Sequence, residues 1–139
     1  MTGSNIDVQW VTEESGANAL SDAARKEGGI VSEIKNWMPG PKELDDYGDA
    51  MFEPLTAVAL IVAAGWLIRR MADVLSDFTR PGGQLIDARV KPVVVRPLPK
   101  TKPPGKLVIL TAEGTKVFPP ERRDEGLAFL NTVLQHINA

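Results

Sequence analysis

Residues 54–68 read PLTAVALIVAAGWLI, fifteen residues without a charge or an amide. Glu53 closes the run on one side and the Arg69-Arg70 pair on the other. As a helix it would be about 22 Å long. That is short of the roughly 20 residues that cross a bilayer core, yet longer than most buried helical runs. Beyond the arginines the pattern turns amphipathic: Met71, Val74, Leu75 and Phe78 recur at helical spacing, with Asp73 and Asp77 between them. One long central helix over 51–79 accounts for both halves, the first enclosed by protein and the second covered on one side. Pro54 suits its first turn, Gly65 is a weak point inside it, and Pro81-Gly82-Gly83 ends it. The competing expectation is a membrane or oligomer contact formed by Leu60, Ile61, Trp66 and Leu67, with Arg69 and Arg70 at the headgroups.

Upstream, Ile6, Val8 and Trp10 alternate with Asp7 and Gln9, the pattern of a half-buried strand. Residues 15–27 carry a thin apolar stripe of Ala17, Leu20 and Ala24, and predict a short helix with Gly28 as its left-handed terminator. Residues 30–37 read as a second strand, so 1–37 forms a β-α-β unit. Residues 38–50 are an acidic Pro/Gly loop. Its Glu43, Asp45, Asp46 and Asp49 lack the order of a calcium loop, so no metal or other cofactor is expected.

Downstream, Ile86, Ala88, Val90 and Val94 share one face of a strand, and Pro92 on that face points to an edge or a bulge. Residues 96–105 form a stiff, basic Pro-rich loop. Leu107–Thr111 predicts a central strand, Glu113-Gly114 a tight turn into a hairpin, and 121–137 a final helix striped by Leu127, Leu130, Val133, Leu134 and Ile137. Residues 84–139 are thus a β-meander plus a C-terminal helix. The expected fold is a single α+β domain over 1–139. It is a two-layer sandwich in the order β-α-β-α-β-β-β-α, with a mixed sheet.

The chain has 139 residues, 43% of them hydrophobic and 24% charged, which suits one globular domain with its own core. There is no cysteine, hence no disulfide framework or thiolate chemistry. No signal peptide is legible at the start, so a cytoplasmic location is expected, with membrane association as the variant. The net charge of -2 is unevenly spread. Residues 1–53 hold eleven acids and four bases, and 54–139 hold seven acids and twelve bases. The halves either neutralise each other within the fold or make a polar molecule that docks a charged partner or stacks on itself.

From Arg89 to Lys106 there are six bases and no acid: Arg89, Lys91, Arg96, Lys100, Lys102 and Lys106. They are the candidate partner-binding residues. No two prolines among them sit three apart, which argues against a polyproline ligand. No aromatic residues are interleaved, which argues against nucleic acid. A plainer reading is a soluble hairpin loop whose lysines guard a sheet edge. His136 is the lone histidine and suits a helix C-terminus. Ser4, Ser15, Ser21, Ser32 and Ser76 have no nucleophile context, and no phosphate-binding glycine loop is present. Trp10, Trp37 and Trp66 read as core residues. No catalytic residue is therefore nominated.

Taken together, Pro39-Gly40-Pro41-Lys42-Glu43-Leu44, a helix over 55–67 closing in Arg69-Arg70, the Glu113-Gly114 turn and the Leu-rich stretch 121–134 resemble the effector-associated constant components of bacterial conflict systems. The Pro-rich stretch 96–105 stands outside that pattern. The resemblance implies a small α+β protein serving as a non-catalytic adaptor beside a separate effector. The function expected is a non-enzymatic protein-interaction module, with an effector or a second copy as partner. The alternatives are a membrane-docking component using 54–68, and a small ligand-binding or enzymatic domain.

Overall fold

Residues 5–37, 55–75, 83–97 and 106–137 are described by the computed structural model. They form β1 (Asn5–Glu13), α1 (Glu14–Lys26), β2 (Ile30–Trp37), β3 (Leu55–Ala63), α2 (Ala64–Leu75), β4 (Gln84–Asp87), β5 (Val93–Pro97), β6 (Leu107–Thr111), β7 (Gly114–Phe118) and α3 (Arg123–Ile137). A short 3-10 turn, Pro120–Arg122, leads into α3. The acidic loop 38–50, Phe78, Lys100 and Lys102 lie outside the described residues.

The strands make one mixed sheet in the order β2-β3-β1-β5-β4-β6-β7. β3 runs antiparallel to both β1 and β2, so those two strands are parallel to each other with β3 between them. β1 pairs with β5 in parallel, as β4 does with β6. Hairpin contacts join β4 to β5 and β6 to β7. The fold class is thus α+β with a mixed sheet.

The long central helix is corrected. Leu55–Ala63 is a strand, and the helix begins at Ala64. Nine residues of β3 pair along their length with β1, and seven of them with β2. Val58, Leu60 and Val62 enter the main core, while Leu55 and Ala57 enter a second cluster with Val11 on the opposite side. A strand buried on both faces loses the apolar-polar alternation that marks a half-exposed one, and its run then looks like an enclosed helix. The β-branched residues Thr56, Val58, Ile61 and Val62 favour the extended form. The amphipathic half is helical as its spacing predicts, with Trp66, Leu67, Met71 and Leu75 buried. Gly65 is exposed in the first turn of α2.

The strand expected over 86–94 is also corrected. It divides into β4 and β5, which pair with each other through Ile86–Val95 and Leu85–Arg96. Val90, expected on the buried face, is exposed in the connection between them. Pro92 has no N–H to give a ladder and stands just before β5 rather than inside it. β5 and β6 are separated by β4, so the Pro-rich connection links strands that do not pair and is not a hairpin loop.

The main core lies on one face of the sheet. There Ile6, Val8, Trp10, Leu60, Ile86, Val95 and Ile109 meet Ala17, Leu20 and Ala24 of α1, Leu67 and Met71 of α2, and Leu130 and Leu134 of α3. Trp10 and Trp66 pack edge to face with ring centroids 6.1 Å apart. α1 ends as its sequence predicts. Gly28 takes φ +84°, its N–H donates to the Arg25 carbonyl at 3.1 Å, and the Gly29 N–H donates to the Ala24 carbonyl at 2.8 Å. This double closure needs a left-handed residue, which glycine adopts without strain.

Candidate functional site

Among the described residues the outer strands of the sheet are β2 and β7. β7 is five residues long, and β2 is eight. An edge strand keeps one row of N–H and C=O groups unpaired, a template for another strand. The sequence of β2 is IVSEIKNW. Ser32, Glu33, Lys35 and Asn36 are all exposed, as an outer strand allows.

The register of β2 slips between Val31 and Glu33, leaving Ser32 as an extra residue. Its hydroxyl donates to the Ala59 carbonyl at 3.3 Å. Such a bulge re-aims the side chains that follow it. After the bulge the pairing is regular: Glu33 opposite Ala59, Ile34 opposite Val58, Lys35 opposite Ala57. Val58 belongs to the helix-covered core and Ala57 to the opposite face. Ile34 therefore lies on the helix side of the sheet, and Glu33 and Lys35 lie together on the other. Their charged ends are 3.9 Å apart. Ile34 is 45% exposed and Ile30 58%, both large apolar side chains open to solvent.

The described basic candidates, Arg89, Lys91, Arg96 and Lys106, do not form one surface. Arg89 sits between β4 and β5 and grips Asp87 bidentately, Nε to Oδ1 at 2.9 Å and Nη2 to Oδ2 at 3.0 Å. Its backbone N–H donates to the same Oδ1 at 3.0 Å. Lys91 is exposed in that connection. Arg96 is buried on β5, opposite Leu85 and on the face away from the helices. Lys106 is half-buried before β6, where its carbonyl accepts the Gln84 N–H at 2.8 Å. Burial pushes the Asp87 carboxyl up. The Arg89 hydrogen bonds and the charges of Arg89 and Arg96 outweigh that and hold it below its ordinary 3.8.

This arrangement makes an acid-stability prediction. The folded carboxyl gives up its proton more readily than the unfolded one, so its contribution is complete above the unfolded value and lost as pH falls through the folded value. Urea unfolding of the wild type should weaken as pH drops below 3.8, and Asp87→Asn should flatten that part of the profile. Arg89→Ala removes the guanidinium contacts that hold the carboxyl low, so it should shrink the same acid-dependent loss. Identical pH profiles for all three proteins would contradict the assignment.

The residues nominated for membrane or oligomer contact are placed as follows. Leu60, Trp66 and Leu67 are in the main core, at most 5% exposed. Ile61 is half-buried on β3, and Arg70 is half-buried on α2. Arg69 is exposed and reaches Glu27 at 3.5 Å. Among the described residues, no helix is long and apolar enough to cross a membrane. The described residues hold no group of three metal-ligating side chains. His136 is exposed, with Nδ1 2.8 Å from the Thr132 carbonyl.

The exposed edge was legible in part. Polar residues among apolar ones mark β2 as having an accessible side, but β1 carries Asn5, Asp7, Gln9 and Glu13 inside the sheet, and sequence spacing alone does not show that Ile34 stays uncovered. Comparison of this chain with protein-family models, with curated proteins and with solved structures found no match.

Proposed function

We propose that this chain is a non-enzymatic protein-interaction module that accepts a strand of a protein partner along β2. The observation that carries the reading is the accessible stretch from Ser32 to Asn36, on the outermost strand of a seven-stranded sheet, with Ile34 uncovered at its centre. Strand addition draws affinity from main-chain hydrogen bonds and specificity from alternate side chains. Ile34 and the Glu33/Lys35 pair would provide that specificity on the two faces. The resemblance to effector-associated constant components supports an adaptor role in a bacterial defence or conflict system, with the partner an effector or another copy. The resemblance is carried here by the Glu113-Gly114 turn and the Leu-rich α3, because 55–67 is a strand followed by a helix.

Site-specific photocrosslinking in cells tests this reading. A photoreactive side chain at Ile34 should give a protein adduct, and the same group at exposed Asn131 on α3 should not. No adduct at Ile34, or equal adducts at both positions, would remove the edge as the working surface.

A further inference from the structure

We infer that the strand β2 accepts is the β2 of a second copy of this chain, antiparallel, with the two-fold axis passing through Ile34. The inference rests on the proposed role of β2 as a strand acceptor and names its occupant. Its basis is the order of charges around one residue. Glu33 and Lys35 flank Ile34 and share the face away from the helices. In an antiparallel pair centred on Ile34, Glu33 of each copy stands opposite Lys35 of the other, and the two Ile34 side chains meet on the helix side. Residues directly opposite in an antiparallel pair have Cβ atoms about 5 Å apart, close enough for opposite charges to attract and like charges to repel.

The neighbouring symmetric registers are worse. Centring on Glu33 sets two glutamates face to face, and centring on Lys35 sets two lysines face to face. Only the middle register satisfies both charges and covers Ile34. Matching Glu33 with Lys35 across the axis also meets the usual defence of an edge, charged side chains facing an incoming strand. The product is one continuous sheet across two chains, with the described helices on one side. In that register residues 31–37 of the two strands face each other, seven residues of edge pairing and a small interface beside a standard protein–protein contact of about 1,600 Å². The dimer should therefore be reversible and concentration-dependent.

Sedimentation velocity across a concentration series, on the wild type and two charge reversals, tests the pairing. The wild type should approach twice the monomer mass and stop there. Glu33→Lys leaves two lysines facing two lysines, and Lys35→Glu leaves two glutamates facing two glutamates; each alone should dimerise at least tenfold more weakly. Mixed in equal amounts, the two variants should recover dimerisation, because every facing pair is then opposite in charge. Recovery on mixing also shows that both variants are folded. The double reversal Glu33→Lys with Lys35→Glu should dimerise like the wild type. A wild type that stays monomeric, a mass that climbs past two chains, or a dimer indifferent to these changes overturns the inference. The Ile34 crosslink separates the two failures. An adduct to a different protein leaves strand acceptance standing without self-pairing, and no adduct at all removes both.

Discussion

Replacing Leu60 with alanine should lower the unfolding free energy by about 3 kcal/mol, within the range for buried leucines. Leu60 is 1% exposed and lies opposite Val8 on β1 and Val31 on β2. It faces the helices from a strand paired on both sides, by β1 and by β2, so the site has little freedom to collapse around a cavity. The next residue, Ile61, points to the other face and is half-buried. Ile61→Ala should cost about 1 kcal/mol, in proportion to the smaller apolar area it covers. Urea denaturation of the two variants measures the contrast directly. Equal losses would mean that 55–63 does not alternate as a strand. Domains of this kind are stable by about 5–15 kcal/mol, so Leu60→Ala should remain folded at low temperature with a clearly reduced midpoint.

Gly83→Ala should be the most damaging single methyl addition in the described chain. A Cβ built at Gly83 runs into the main chain of Lys106. That main chain is held there, because the Lys106 carbonyl accepts the Gln84 N–H at 2.8 Å and β6 then pairs in parallel with β4. A side chain could rotate away, but a strand in the middle of a sheet cannot without parting the ladder. The expected loss is about 3 kcal/mol, at the upper end for overpacking. Gly65→Ala provides the opposite case. Nothing lies within 4 Å of a Cβ at Gly65, and the residue is in a helix. Alanine there should stabilise by up to about 1 kcal/mol. Thermal unfolding of both variants should move the midpoints in opposite directions. A neutral Gly83→Ala would show that β4 and β6 are not held as closely as described.

Local signals identified most of the outer framework. The alternation of Ile6, Val8 and Trp10, the stripe of Ala17, Leu20 and Ala24 stopped by Gly28, and the leucine stripe of α3 each depend on neighbours three or four residues away, or two. Those distances are within reach of periodicity, so β1, α1 and α3 follow from the chain read as a string. The apolar run at 54–68 carries no such information, because every position is compatible with burial in either conformation.

For Leu55–Ala63, the choice between strand and helix was made by β1 and β2, which offer backbone partners on both sides, while the helices cover one face. Long-range hydrogen bonding outweighed continuity with the amphipathic helix that follows. The same holds for the basic residues. Their spacing suggested one surface, but pairing across β4 and β5 buried Arg96 and turned Arg89 onto Asp87. The exposed edge at Ile34 likewise depends on the end of the sheet: residue types mark β2 as polar, but sheet order decides that no described strand lies beyond it.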